Sequence, residues 1–394
     1  QLCLLGLLAS QVPKISSPAL APLTIITNNF TTGGAQSSAR RLLAGLRERG
    51  YAVRAMTLEE LADRATPGSK ALREMGVPVI HIRPSRDARL MVAQLVEEMA
   101  NVRPVAVLFW NVMPPVKVLL SEVLLGVPMY DVSPGEMCFR SLDRFFRALP
   151  AGTADEHSHQ YGERLAGTVV KYSGEAERAC RSLGKRVHVI RNGVQVNGVP
   201  SRQNGKTFVI GTLARISPDK RLDELIEAFR IAVPRMPLCR LRIGGGPDGS
   251  SPGHLIELKQ LARGLPVEWC GEINDAARYF SSLDLFAMIS EPAGCPNASL
   301  EAMAAGLTVV ATDHGGVREQ VINNVTGRLV PRGDVKAFAE ALVELANDSD
   351  LRARFSREAR VHVQAEFSLD RMIEEYARLT GLDRNSAMKT TLAS

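Results

Sequence analysis

The sequence has 394 residues, 45% of them hydrophobic and 23% charged. These figures describe an ordinary globular protein, exclude a disordered or fibrous one, and suit two α/β domains of about 150–200 residues each. The net charge of +6 belongs to the first half: Lys and Arg number 24 against 17 Asp and Glu over residues 1–200, and 24 against 25 over 201–394, so an anionic partner for that half or a solvated basic face would fit.

The chain opens on QLCLLGLLA, apolar but short and with no basic flank, which runs into the Ser/Pro-rich SQVPKISSPALAP. Residues 1–22 read as an arm or the remnant of an upstream segment, and a start without Met points to truncation or processing. LTIITNNF (23–30) is the first strand; TTGGAQ follows, and Ala39, Leu42, Leu43 and Leu46 then recur at helical spacing until Gly50. YAVRAMT (51–57) resumes as strand, so the opening is a βαβ unit and starts a parallel sheet. VPVIHI (77–82), PVAVLFW (104–110), GVPMYDV (126–132), GTVVKYS (167–173) and RVHVIRNGV (186–194) continue the strands, with helices between them. Gly, Asn and Pro crowd QVNGVPSRQNGK (195–206), which reads as a linker.

The second half repeats the plan. TFVIGTLAR (207–215), CRLRIGGG (239–246), LPVEWCGEI (265–273), LDLFAMIS (283–290) and LTVVATD (307–313) are strands, and DELIEAF (223–229) lies on a helix. From FAEALVELA (338–346) through MIEEYARLTG (372–381) the pattern is helical. The expected fold class is α/β: two doubly wound sheets in series, a cleft between them, and ligands at the carboxyl ends of strands. Cys3, Cys138, Cys180, Cys239, Cys270 and Cys295 form no CxxC pair, so neither a disulfide framework nor a zinc site is expected, and a reducing, cytoplasmic setting is. No apolar run is long enough to span a bilayer.

Eight segments carry more specific information: LTIITNNFTTGGAQ, VIRNGV (189–194), GTLARISPDKRLDELIEAF (211–229), IGGGP (243–247), WCGEI (269–273), FSSLDLFAMIS (280–290), SEPAGCPNASLEAMAAGLTVVAT (290–312) and DHGGVREQVINNVTGRLV (313–330). In this order they resemble the retaining nucleotide-sugar glycosyltransferases of family 4, over residues 23–381. The resemblance implies the GT-B architecture, two Rossmann-like domains facing each other across a cleft. It implies an acceptor domain over 23–198, a nucleotide-sugar donor domain over 199–366, and a C-terminal helix in 367–394 that packs back toward the first domain. The implied reaction moves a sugar from a nucleotide-diphosphate donor, a UDP-sugar foremost, to a hydroxyl acceptor on a glycan, a lipid-linked or a small molecule. It needs no metal or cofactor and no nucleic acid.

Such a transfer breaks the anomeric C–O bond while negative charge grows on the leaving diphosphate, and without a metal that charge needs cations in a water-poor site. Arg215, ending a strand, and Lys220, opening the next helix, are placed to meet a phosphate near a helix N-terminus. Spacing alone reads them equally as surface basic residues; the resemblance assigns them to the diphosphate. Gly33 and Gly34 form a glycine-rich turn that, by the resemblance, lets backbone approach the donor, whereas Gly244 to Gly246 read as a structural turn. Glu301 lies in NASLEAMAAG, a helix capped by Asn297 and ended by Gly306. It reads as a first-turn carboxylate favoured by the helix dipole or, by the resemblance, as the group that holds the ribose hydroxyls. Gly294, Cys295, Pro296 and Asn297 would turn backbone amides toward sugar and phosphate. His314 follows a strand on the same side and could touch the donor. Asp348-Ser349-Asp350 has the spacing of a metal-binding DxD, but its polar surroundings after a helix read as a helix-end loop.

The family's second glutamate, with seven residues between it and Glu301, falls here on Ala293. Glu291, two residues earlier, is expected to take over and contact the donor sugar. The alternative is a lost carboxylate and a weakened site, as in a nucleotide-sugar-binding protein without the chemistry; an epimerase or phosphorylase on the same fold is a third reading. VPMYDVSPGEMCF lacks the histidine that many relatives carry in this region. Asp131 and Glu136 are its candidate acceptor-facing groups, although Ser133-Pro134-Gly135-Glu136 also reads as a capping box. Arg40, Arg41, Arg47 and Arg49 lie on or just beyond the first helix, whose other face carries the leucines. That is a helix packed on its sheet, or one in peripheral contact with an anionic membrane.

Overall fold

Strands whose apolar runs leave no polar face must be covered on both sides, and the chain does this twice. The computed structural model describes residues 21–31, 33–149, 157–184, 186–196, 207–236, 238–289, 291 and 294–383. Ala293, most of the opening arm and most of the expected linker lie outside these residues. The first sheet comprises β1 (Leu23–Thr27), β2 (Val53–Thr57), β3 (Val79–His81), β4 (Ala106–Trp110), β5 (Met129–Val132), β6 (Gly167–Val170) and β7 (Val187–Val189). Its order is β3-β2-β1-β4-β5-β6-β7 and every pairing is parallel. The second comprises β8 (Phe208–Leu213), β9 (Cys239–Gly244), β10 (Val267–Gly271), β11 (Leu285–Met288), β12 (Thr308–Thr312) and β13 (Gly327–Val330), in the order β10-β9-β8-β11-β12-β13, again parallel. Each expected strand lies within its apolar run, trimmed at the ends. β13 is additional: its sequence, GRLV, is too short and too polar to read as a strand by pattern.

Both sheets are Rossmann-like and doubly wound, with an apolar core on either face. The strand order reverses between β1 and β4 in the first and between β8 and β11 in the second. In open α/β sheets the crevice outside the carboxyl ends at such a reversal is where ligands bind.

The chain divides into two compact units, one running to Arg191 and resuming at Leu369, the other from Asn192 to Ser368. In the first, the helix Gly34–Glu48 buries Leu42, Leu43 and Leu46 in the core. The helix Leu369–Thr380 closes over it at Gly45, where an added Cβ would stand 2.1 Å from Ile373 Cδ1. Arg49 pairs with Asp370, and Arg40 donates to Ser37 Oγ at 3.1 Å. The leucine face is thus consumed by packing and is not available to a membrane. Among the described residues no helix is long and apolar enough to cross one.

Candidate active site

β8 runs out at Leu213, beside the carboxyl end of β9. Gly245 crosses here with φ +131, and a Cβ on it would lie 1.8 Å from the Ala214 carbonyl oxygen, which is why the glycine run is needed. Arg215 follows, its guanidinium 3.2 Å from Asp248 Oδ2. A short 3₁₀ turn, Pro218–Lys220, then precedes the helix Leu222–Ala232, so Lys220 stands in the turn rather than opening the helix. Its ammonium lies 2.9 Å from Asp219 Oδ2, while Ser217 Oγ donates to Asp219 Oδ1 at 2.5 Å. Burial would raise the Asp219 carboxyl, but the bonds from Ser217 and Lys220 and the charges of Lys220 and Arg215 hold it below its ordinary value.

Arg221 adopts the left-handed conformation, φ 46° and ψ 42°, which is costly for a bulky side chain. Its guanidinium faces Glu224, Asp223 at 3.8 Å and Glu291 at 3.5 Å. Glu291 stands just past the carboxyl end of β11, where sequence puts it, and its N–H donates to the Asp219 carbonyl at 2.8 Å. One carboxylate oxygen faces Arg221 and the other pairs with Arg332, which no sequence pattern had singled out. The carboxylate expected on the donor sugar is therefore held by two guanidiniums.

The helix carrying Glu301 spans Asn297–Ala304, with Pro296 rather than Asn297 at its cap, and ends before Gly306 at φ +76. Glu301 is half-buried in the second turn, not the first. The segment before it is pinned through its carbonyls: Gly294 accepts from Gly316 N–H at 2.9 Å, Cys295 from Asn192 Nδ2 at 2.7 Å, and Pro296 from Gln320 Nε2 at 3.1 Å. Pro296 has no N–H and can only shape the turn. His314 follows β12, its N–H bonded to the Thr312 carbonyl at 2.9 Å. Asp348 caps the helix Ser349–Glu366, accepting from Leu351 N–H at 2.8 Å, which is the helix-end reading of the DxD stretch.

In the first unit Gly33 caps the helix Gly34–Glu48 after β1, at the reversal point of its sheet. Trp110, ending β4, donates from Nε1 to the Ala35 carbonyl at 2.8 Å and fixes that turn. Glu60, a residue the sequence reading passed over, accepts from Phe30 N–H (2.5 Å), Thr66 Oγ1 (3.0 Å) and Ser69 Oγ (2.7 Å), and so anchors the approach to the glycines.

Asp131 requires correction. It is buried under the helices, 2.6 Å from Lys117 Nζ and 3.1 Å from the Tyr161 hydroxyl, so it cannot face an acceptor. Its polar character at a strand end looked like a site only because its partner lies elsewhere, inside the apolar helix Pro114–Val123. The expected capping box is also absent. Ser133 Oγ donates to Glu175 at 2.7 Å and accepts from Gly135 N–H, while Glu136 pairs with Arg140 at 2.7 Å. Glu136 keeps partial exposure; Asp131 has none to spare.

Residues 207–348 match the family model described as Glycosyl transferases group 1. The capsular polysaccharide biosynthesis glycosyltransferase CapM of Staphylococcus aureus is 30% identical over 168 residues, 43% of this chain and 44% of that protein. The D-inositol 3-phosphate glycosyltransferase of Saccharomonospora viridis is 32% identical over 212 residues, 50% of this chain and 47% of that protein. The matched stretches thus span about half the length of these curated relatives. A crystal structure of Anabaena Alr3699/HepE, in complex with UDP and glucose, superposes with a TM-score of 0.75 at 18% identity, covering 91% of this chain and 98% of that one. The match to the group 1 glycosyltransferase model thus lies within the second unit, in a chain with the GT-B fold.

Proposed function

We propose that the protein transfers a sugar from a nucleotide-diphosphate donor, a UDP-sugar foremost, to a hydroxyl acceptor, with retention and without a metal. The observation that carries this is the placing of Arg215 and Lys220 at the reversal point between β8 and β11, beside the crowded glycines at the end of β9. Two cations there can take up the charge of a departing diphosphate. The half-buried Glu301 would hold the ribose hydroxyls, and residues 294–297 would shape the pocket for the sugar.

The acceptor hydroxyl would approach the anomeric carbon from the side on which the diphosphate leaves. The C–O bond to phosphate breaks, the bond to the acceptor oxygen forms, and a phosphate oxygen takes the hydroxyl proton. No covalent nucleophile is needed, which suits a site whose Glu291 is already engaged. The accessible Glu136 is the remaining acceptor-side candidate, and capsule or glycoconjugate acceptors follow from the relatives' names.

The engagement of Glu291 also favours a second reading, a nucleotide-sugar-binding protein with little turnover. A panel of nucleotide sugars, assayed for hydrolysis and for transfer to polysaccharide, lipid and small-molecule acceptors, separates the two. Tight binding of a donor with no turnover on any acceptor would establish the second.

A further inference from the structure

We propose that Glu291 is a positioning residue: a clamp that fixes the Lys220 turn, rather than a group that touches the donor sugar. The inference rests on the transfer reading above for its consequence, but not for its geometry. Glu291 is tied to two other loops at one edge of the second sheet. Its N–H holds the Asp219 carbonyl at 2.8 Å, in the turn after β8. Its carboxylate faces Arg221 at 3.5 Å, at the end of that same turn, and pairs with Arg332 in the loop after β13.

The burial is lopsided in the way a clamp requires. The Glu291 side chain is only 10% exposed, whereas Arg332 is 60% exposed. A carboxylate that far withdrawn from water needs counter-charge, and the two arginines supply it. With both oxygens so occupied, it has little left to offer a sugar hydroxyl. β12 separates β11 from β13, so a residue after β13 must reach across about 10 Å of sheet edge to meet one after β11. Long side chains on both partners achieve this. Arg332 is itself well placed, in a tight turn with Gly333 at φ +75 and Asp334 capping the next helix through Ala337 N–H at 2.9 Å.

Arg221 gives an independent observation. Glycine would hold its left-handed backbone without strain, yet an arginine stands there, and its side chain meets Glu291 and the helix carboxylates. What the strained position provides is the guanidinium. Lys220, the preceding residue, is thereby set between Asp219 and Arg221, and the leaving diphosphate meets an ammonium whose place is fixed beforehand.

The test uses Glu291→Gln, Arg332→Ala, Arg332→Lys, the double variant Glu291→Gln/Arg332→Ala, and Arg221→Gly. Hydrogen exchange at the Lys220 and Arg221 amides reads the clamp directly, since Arg332 shares no bond with that turn except through Glu291. Exchange there should rise roughly tenfold in Arg332→Ala and in Glu291→Gln, and no further in the double variant. Arg332→Lys should recover part of the loss. Arg221→Gly keeps the left-handed backbone and removes the guanidinium, so exchange at Lys220 should rise and turnover fall, which relief of backbone strain alone would not produce. Turnover should fall in step with exchange while the ranking of donor sugars stays the same. Unchanged exchange in Arg332→Ala, or a changed donor ranking in Glu291→Gln with Arg332→Ala at wild-type turnover, overturns the clamp. A wild-type protein that turns over no donor refutes the transfer reading instead, and the exchange result still decides the clamp.

Discussion

Replacing Lys117 by Met should cost the first unit about 3–5 kcal/mol, because it strands a buried carboxylate. The Lys117 and Asp131 side chains are 1% and 3% exposed and their charged atoms lie 2.6 Å apart. Met keeps most of the length and apolar stem of lysine, so packing changes little. What is lost is the ammonium, while the Tyr161 hydroxyl stays at 3.1 Å from the carboxylate. Replacing both partners, Lys117→Met with Asp131→Leu, removes the desolvation cost together with the attraction and should return to within about 1 kcal/mol of the parent. The protein has two tryptophans, Trp110 in the first unit and Trp269 in the second, so a Trp269→Phe background makes fluorescence report the first unit alone. With a urea slope of about 2 kcal/mol per M, the single variant should lower the midpoint by about 1.5–2.5 M. Burial works against the Lys117 ammonium, but the Asp131 carboxylate outweighs it, aided by the Cys138 thiol, and holds the group above its ordinary 10.5. A pKa raised on folding adds stability that is whole below 10.5 and is lost as pH climbs through the higher folded value. The parent should therefore shed this increment only in strong alkali, and the variant should have none to shed. A single-variant shift under about 0.5 M would refute the reasoning, because the carboxylate would then be finding water the geometry denies it.

Arg215→Ala and Lys220→Ala should each lower turnover by about two to three powers of ten, as loss of a leaving-group donor does; wild-type turnover in both would remove the diphosphate assignment. Activity should persist in EDTA, and complete loss restored by Mg²⁺ or Mn²⁺ would replace the metal-free mechanism. Glu301→Gln should weaken nucleoside diphosphate binding, measured by calorimetry, more than it lowers kcat; the reverse order would take Glu301 away from the ribose.

The fold was legible because the strands are short, mainly apolar stretches between helical periods, and because glycines mark the places where backbones cross. Gly245, with no room for a side chain against Ala214, is such a place. β13 escaped because burial of GRLV comes from β12 beside it, not from its own composition. The position of Glu291 at a strand end was also readable, but its task was not. Its partner Arg332 is distant in sequence and set by sheet order, which local pattern does not encode. Asp131 shows the converse. A lone lysine inside PPVKVLLSEV was a visible sign that something nearby must answer its charge, and that sign outranks polarity at a strand end.

The return of the last helix to the first unit sets a timetable for synthesis. Leu369–Thr380 supplies Tyr376, whose hydroxyl accepts from buried Lys171 at 2.8 Å, and Ile373, which seals Gly45. A ribosome adding roughly 5–20 residues per second spends on the order of ten seconds or more making residues 192–368 before that helix exists. Through that interval the first sheet waits without the Tyr376 hydroxyl beside Lys171 and with a helix face uncovered, while the second unit can complete itself from contiguous chain. A gene cut at residue 191 would make that unfinished state permanent, so expressing the first unit alone calls for grafting 369–383 back onto it.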